Sequence, residues 1–126
     1  MVEQKNKILL VEDDVMIVRM YQRKLELEGF KVFLAFNGEE GLEILKKEKP
    51  DIILLDIMMP KMNGIEMLKA LKKNPATKNI PVIILTNLGD RPEDVTKAKE
   101  LGAKDYWVKA TVSLKEVVER IRQILA

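Results

Sequence analysis

Five short apolar runs recur at similar spacing along this chain, and no other feature of the sequence constrains its fold as strongly. They occupy residues 8–11, 32–36, 52–55, 82–85 and 106–108, and they are rich in Ile, Val and aromatic side chains with little polar alternation. Short strands of this kind are typical of a parallel sheet that helices cover on both faces. Segments with helical periodicity separate the runs, so the pattern predicts five β-strands, each followed by an α-helix.

Residues typical of helix N-termini lie between the apolar runs, before the predicted helices. Asn37 and Glu40 have capping-box spacing before the second helix, and Ser113 and Glu116 predict a full capping box before the fifth. The fifth helix carries an apolar stripe at three- and four-residue intervals, made of Leu114, Val117, Val118, Ile121, Ile124 and Leu125. This stripe predicts the face that packs on the sheet.

Proline and glycine mark further helix ends. Pro92 suits the first turn of the fourth helix, and Gly29 and Gly102 stand where the first and fourth helices are expected to end. Because crossovers between parallel strands are right-handed, five such units predict a doubly wound α/β fold with strand order 2-1-3-4-5. The functional crevice of such a sheet lies beyond the carboxyl ends of its strands, near strands 1 and 3.

The composition excludes several kinds of function. The 126 residues include no Cys and no His, which excludes disulfides, thiolate zinc sites, cysteine nucleophiles and histidine general bases. An evenly spread net charge of +2 argues against a nucleic-acid-binding face. The apolar runs are too short to span a membrane and the N-terminus lacks a signal peptide, so we expect residues 1–126 to form one cytoplasmic domain without a membrane partner.

Polar side chains follow four of the five predicted strands. The acidic residues 12–14 follow strand 1, Asp56 follows strand 3, Thr86 follows strand 4 and Lys109 follows strand 5. The carboxyl ends of parallel strands meet at one edge of the sheet, so we expect these groups in one cleft. Carboxylates this close repel one another unless a cation is present. Mg²⁺ is a hard divalent cation that prefers oxygen ligands, so the cleft is predicted to bind Mg²⁺.

Each of these residues also has an ordinary structural interpretation. For Asp13 and Asp14 alone, capping the next helix is as expected as binding a metal. Thr86 alone is more often an ordinary strand-end residue, and Lys109 alone a solvated surface lysine. Their joint occurrence at four strand ends favours a functional cleft.

The motifs at these positions carry a resemblance to a known family. The runs LLVEDD, DIILLDIMMPKMNG, TNLG and YWVK resemble the receiver domain of bacterial two-component response regulators, of the chemotaxis type with a flavodoxin-like fold. The resemblance extends over nearly the whole chain. It implies that Asp13, Asp14 and Asp56 bind Mg²⁺ with the backbone carbonyl of Met58.

The resemblance also implies the chemistry of the site. Asp56 would accept a phosphoryl group from the phosphohistidine of a sensor histidine kinase or a histidine phosphotransfer protein, while Thr86 and Lys109 contact the phosphoryl oxygens. Thr86 and Tyr106 would then act as switch residues. Because the chain has no histidine donor, we expect a phosphoacceptor and not an enzyme, working as a monomer or as a phosphorylation-dependent dimer.

Some positions follow the family and others depart from it. Pro60 and Gly64 match the family's turn into the third helix. Ala110 replaces the usual proline after the strand-5 lysine, which favours a trans peptide bond and brings the reach of that lysine into question. Asn87 replaces a small residue, and Met58 has no side-chain donor to orient an attacking water.

The sequence leaves open two alternative functions and the question whether Tyr106 is a core residue or a switch residue. Ala110 and Asn87 are compatible with a pseudo-receiver that binds partners without phosphorylation. A Mg²⁺-dependent aspartyl phosphohydrolase is the other alternative, although the position of its second acid is occupied by Met58. Tyr106 and Trp107 are expected to point to opposite faces of the sheet; an aromatic residue there is more often core than switch, and the resemblance favours the switch role for Tyr106.

Overall fold

Alternating strands and helices run through the computed structural model, which describes residues 5–59, 62–87 and 90–126. The elements are β1 (Lys7–Val11), α1 (Val15–Leu27), β2 (Lys31–Ala35), α2 (Gly38–Leu45), β3 (Ile52–Asp56), α3 (Gly64–Lys73), β4 (Val82–Thr86), α4 (Pro92–Glu100), β5 (Asp105–Val108) and α5 (Leu114–Leu125). The predicted order is confirmed, and every predicted strand end lies within one residue of the observed one.

The five strands form one parallel sheet in the order β2-β1-β3-β4-β5, as predicted. Every residue of β3 and β4 is buried. Because side chains alternate along a strand, β1, β2, β3 and β4 each contribute to two apolar clusters, one on each face of the sheet. Leu10, Leu54 and Trp107 face α1 and α5, whereas Leu9 and Leu55 face the layer formed by α2, α3 and α4. The fold therefore has three layers, with an apolar core on each side of the sheet.

The helix starts follow the predicted capping residues with one correction. Asn37 Oδ1 accepts a hydrogen bond from Glu40 N at 2.9 Å. Ser113 Oγ accepts one from Glu116 N at 3.1 Å, but the predicted full box is wrong, because Glu116 Oε1 turns to Ser113 Oγ at 3.5 Å rather than to its backbone N–H. A complete capping box occurs at Asn63, at the start of α3, where none was predicted.

Pro92 and the two helix-ending glycines lie where they were predicted. Pro92 occupies the first turn of α4. Gly29 and Gly102 have φ values of 96° and 102°, in the left-handed region that glycine adopts without steric cost. The predicted turn residue Pro60 lies outside the described residues, as do residues 88–89 of the TNLG motif.

Candidate functional site

The carboxyl ends of the parallel strands bring three charged side chains together. Asp56 is the last residue of β3 and is 1% exposed, and Glu12 follows β1 directly and is fully buried. Lys109 follows β5, and its backbone N–H donates to Thr86 O at 2.9 Å, which continues the β4–β5 ladder by one residue. The cleft predicted from the strand ends is therefore present.

Three carboxylates form the acidic group of this cleft. Oxygen atoms of Glu12, Asp13 and Asp56 all lie within 4.8 Å of one another. The structure thus brings Asp13 and Asp56 together as expected, but it does not bring Asp14 into the group. The Asp14 carboxylate instead accepts hydrogen bonds from two amides in the first turn of α1, at 2.9 and 3.4 Å, and caps that helix.

Strand alternation explains why Glu12 takes this place. Leu10, Leu54 and Trp107 all face the α1–α5 layer. Glu12, Asp56 and Lys109 each stand two residues further along the same strands, so their side chains point to the same side of the sheet. Glu12 belongs to the acidic run predicted at the end of strand 1, but its place in the cleft was not predicted. The signal for it is the strand alternation, counted one residue past the end of β1.

Lys109 reaches the acidic group although proline does not follow it. Its Nζ lies 2.6 Å from Glu12 Oε1 and 3.5 Å from Asp56 Oδ2. The peptide bond before Ala110 is trans, since the described residues contain no cis peptide bond. The replacement of proline therefore leaves the contact between Lys109 and the carboxylates in place.

Burial and crowding shift the ionisation of these groups. The pKa of Asp56 is raised to about 8. Burial is the largest cause, the neighbouring Glu12 adds to it, and Lys109 acts in the opposite direction. Burial and Glu12 likewise raise the pKa of Asp13. Burial opposes ionisation of Glu12, but hydrogen bonds with Asp56 and Lys109 outweigh it and lower the pKa of Glu12. Within the described residues, Lys109 is the only cation paired with this acidic group. One positive charge does not balance three carboxylates, so the three resist being ionised at the same time.

The donor set fits a hard divalent cation. Asp56 Oδ1 is buried and has no hydrogen-bond partner among the described residues. Asp13 is exposed, so the group opens to solvent on one side. Carboxylate oxygens are the ligands that Mg²⁺ favours, and it retains several waters, which this open side accommodates. The Met58 side chain is 55% exposed, and the role of its carbonyl as a ligand stays a prediction.

The two predicted switch residues lie beside the cleft. Thr86 ends β4 and is 3% exposed, and its hydroxyl donates to Trp107 O at 3.4 Å. Tyr106 is 38% exposed, with Lys99 Nζ 4.2 Å from the ring centroid, whereas Trp107 is buried. The two aromatic side chains therefore take opposite faces of the sheet, as predicted. Their switching stays a prediction.

Glycine is required where the loop after β3 returns to the sheet. Gly64 N–H donates to Ile57 O at 2.9 Å, and a Cβ on Gly64 would overlap the backbone oxygen of Asp56. Gly38 makes a similar close approach, because a Cβ there would lie 2.7 Å from Met62 O. These contacts place the loops around Asp56 against each other.

Comparison with known families agrees with this geometry. The sequence pattern described as the response regulator receiver domain matches residues 8–122, which is most of the chain. The chain belongs to this family. The receiver domain is 47% identical over 120 residues to the transcriptional regulatory protein CpxR of Escherichia coli K12 and 42% identical over 125 residues to a probable transcriptional regulator, ycf27, of Porphyra purpurea.

Solved structures of response regulators share the fold of this receiver domain. A putative response regulator from Chloroflexus aurantiacus superposes with a TM-score of 0.88 at 32% identity, covering 97% of this chain and 98% of that one. The chemotaxis protein CheY4 of Vibrio cholerae gives 0.87 at 29% identity, covering 97% of this chain and all of that one. The match to CpxR covers 95% of the receiver domain, and the match to ycf27 covers 99% of it. Each match covers 49% of the relative, so the receiver domain spans about half the length of these curated relatives.

Proposed function

We propose that this receiver domain accepts a phosphoryl group on Asp56 from the phosphohistidine of a sensor histidine kinase or a histidine phosphotransfer protein, in the presence of Mg²⁺. The observation that carries this proposal is the environment of Asp56. Its carboxylate ends the central strand with one buried oxygen free of hydrogen bonds and the other 3.5 Å from Lys109 Nζ. A nucleophilic oxygen therefore lies next to an ammonium group that can neutralise the negative charge of the transferred phosphoryl group.

The transfer step needs little from the protein beyond these groups. An Asp56 oxygen forms a bond to phosphorus while the bond between phosphorus and the donor's imidazole nitrogen breaks. The electron pair of the broken bond stays on the imidazole, which takes up a proton. Lys109 neutralises charge on the phosphoryl oxygens, and Thr86 donates to one of them after its hydroxyl leaves Trp107 O. Mg²⁺ held by Glu12, Asp13, Asp56 and the Met58 carbonyl would neutralise further charge on these oxygens.

The alternatives considered from the sequence are less well supported. A phosphohydrolase needs a second acid near the nucleophile, and Met58 offers none at the expected position. A pseudo-receiver would not need the buried group of Glu12, Asp56 and Lys109, which is complete here. We therefore propose a phosphoacceptor that is not itself a kinase or a hydrolase.

The cellular setting is part of the same proposal. Within the described residues no helix is both long enough and apolar enough to cross a membrane. We propose a cytoplasmic role, in which phosphorylation changes the surface around Thr86 and Tyr106. The changed surface would bind a downstream protein, or a second copy of the chain as a phosphorylation-dependent dimer.

A small phosphodonor tests the proposal directly. After incubation with phosphoramidate and Mg²⁺, intact mass measurement is expected to show one added phosphoryl group in the wild type and none in Asp56→Asn. The matched control is Asp51→Asn, which removes an exposed carboxylate just before the opposite end of the same strand and should leave the mass gain unchanged. Equal gains in Asp56→Asn and the wild type would contradict the assignment of Asp56.

A further inference from the structure

The chain contains two asparagine–glycine sequences, and the fold brings both to the loop that follows β3. They are Asn37–Gly38 at the start of α2 and Asn63–Gly64 at the start of α3. Gly38 N–H donates to Met62 O at 2.9 Å, so the two sequences pack against each other. Asparagine is a thermolabile residue, and a following glycine has no side chain to hinder attack of its nitrogen on the asparagine amide. Both sequences are therefore chemically suited to deamidation.

Hydrogen bonds occupy the reacting groups of Asn63 and Gly64 in the folded protein. Asn63 Oδ1 accepts a hydrogen bond from Glu66 N at 2.9 Å, and Gly64 N–H donates to Ile57 O at 2.9 Å. Deamidation requires the Gly64 nitrogen to lose its proton and to attack the side-chain carbon of Asn63. The start of α3 therefore has to open before the reaction proceeds.

The two sequences differ in the burial of their asparagines. Asn37 is 6% exposed, and its Oδ1 accepts a hydrogen bond from Glu40 N at 2.9 Å. Asn63 is half-buried, and its hydrogen bond from Glu66 N is exposed to solvent. Local opening costs less free energy where hydrogen bonds are exposed and few buried contacts are lost. Opening at the start of α3 is therefore expected more often than opening at the start of α2.

We infer that Asn63 is a deamidation site controlled by local opening at the start of α3, and that its isoaspartyl product distorts the loop after Asp56. The deprotonated Gly64 nitrogen bonds to Asn63 Cγ, and the bond between Cγ and Nδ2 breaks. Nδ2 takes up a proton from water and leaves as ammonia. A second water then opens the succinimide ring. Cleavage of one carbon–nitrogen bond gives aspartate, and cleavage of the other gives isoaspartate, whose main chain runs through the former side chain.

The isoaspartyl product does not fit the space beside Asp56. It lengthens the main chain before Gly64 by one carbon, or roughly 1.5 Å. A Cβ on Gly64 would already overlap the backbone oxygen of Asp56 and lie 2.9 Å from Ile57 Cα. The product also lacks the Asn63 amide that caps α3. The loop after Asp56 is therefore displaced. The effect of this displacement on phosphoryl transfer, unlike the deamidation itself, rests on the proposed phosphoacceptor function.

Peptide mapping by mass spectrometry tests the chemical step. The wild type is incubated at mildly alkaline pH, folded or unfolded in urea, and aspartyl and isoaspartyl products are quantified at each asparagine. In the folded protein we expect Asn63 to react about tenfold faster than Asn37, whereas in urea the two should react at similar rates. Equal rates at the two sites in the folded protein would overturn the inference. A rate at Asn63 that urea leaves unchanged would also overturn it, since opening would then not control the reaction.

Two controls lack one of the reacting groups. Asn74 is exposed but precedes Pro75, whose nitrogen carries no hydrogen, so no deamidation is expected there. Asn63→Ser keeps an oxygen that caps the helix but has no amide to lose. Its map should show no aspartyl or isoaspartyl product at residue 63.

The consequence for the acceptor loop is measured on the isoaspartyl fraction, separated by ion exchange through its additional negative charge. Asn63→Asp is the matched control, because it has the same charge on a normal main chain. With phosphoramidate and Mg²⁺, the isoaspartyl fraction should gain a phosphoryl group at least about tenfold more slowly than Asn63→Asp. It should also unfold at a lower urea concentration, a readout that does not depend on phosphorylation.

The failures of the two proposals are distinguishable. Equal urea midpoints for the isoaspartyl fraction and Asn63→Asp would refute the distortion of the loop, and so would equal rates of phosphorylation. An unmodified wild type that gains no phosphoryl group refutes the proposed function instead, and the peptide maps and urea midpoints still decide the inference about Asn63.

Discussion

At the scale of single residues, one position separates a member of the acidic group from a helix cap. Asp13 and Asp14 are adjacent and chemically identical, yet only Asp13 lies with Glu12 and Asp56. Asp14 is exposed and caps α1. Successive side chains leave the end of a strand in different directions, so neighbouring carboxylates have different roles.

Thermal melts with and without Mg²⁺ test this division. A ligand that binds only the folded state raises the melting temperature by mass action, so Mg²⁺ is expected to stabilise the wild type. Asp13→Ala should lose that gain. Asp14→Ala should be less stable by about 1 kcal/mol, since a helix cap is removed, but should keep the gain. A gain lost in Asp14→Ala and kept in Asp13→Ala would assign the metal ligand to Asp14 instead.

Gly64 provides a second test at this scale. Because a Cβ would overlap the backbone oxygen of Asp56, Gly64→Ala is expected to cost about 1–3 kcal/mol of unfolding free energy and to slow phosphorylation. Gly41→Ala is the control, since its Cβ would meet the flexible end of Met67. Urea unfolding measures both variants. Equal stability of the two would show that the loop adjusts without strain.

At the scale of elements, the residues that follow β3 and β4 lie at the same edge of the sheet as the proposed acceptor. Met58 follows Asp56 by two residues, and its side chain projects into solvent. Asn87, at the end of β4, is exposed, and its N–H donates to Asp90 Oδ2 at 2.7 Å. The thioether of Met58 is at most a weak acceptor, so it does not orient a water toward a phosphoryl group on Asp56.

Loss of the phosphoryl group is therefore expected to be slow in the wild type. Orientation of a nucleophile lowers a reaction barrier by several kcal/mol, so a polar side chain at residue 58 should speed hydrolysis. Release of phosphate in Mg²⁺ is measured for wild type, Met58→Asn and Met58→Glu. Met58→Leu is the matched apolar control and should behave as wild type. If neither polar variant decays faster, water orientation at residue 58 does not limit the reaction.

At the scale of the whole molecule, the site depends on the core on each side of the sheet. The α5 stripe predicted from the sequence packs against the sheet, with Val117, Val118 and Ile121 buried. The same core contains Leu10, Leu54 and Trp107, and two residues further along the chain from them lie Glu12, Asp56 and Lys109. The strands that carry the charged residues of the cleft therefore share one apolar core with α5.

Truncation in α5 tests how strongly its apolar stripe stabilises the fold. Ile121→Ala removes a fully buried side chain and is expected to cost about 2–5 kcal/mol of unfolding free energy. Gln123→Ala, on the exposed side of the same helix, should change it by less than about 0.5 kcal/mol. Denaturant unfolding distinguishes the two. Similar losses in both variants would show that α5 is not held by its apolar stripe.

The sequence by itself determined the element order, the sheet topology, the helix caps at Asn37 and Ser113 and the convergence of polar groups at the strand ends. Apolar periodicity and chain punctuation are local signals, and the right-handed crossover leaves few ways to arrange five such units. Asp56, Thr86 and Lys109 could be placed at one edge for this reason. The turn around Gly64 was predicted from resemblance alone.

Only the tertiary structure decided which acids share the cleft and which partner holds Lys109. The sequence presents three acids in a row after β1, and their roles depend on the direction in which each side chain leaves the strand end. The contact between Glu12 and Lys109 joins residues 97 positions apart, and its length depends on the packing of β1 and β5 about the sheet. Interactions of this kind depend on distances in space, which local sequence signals do not encode.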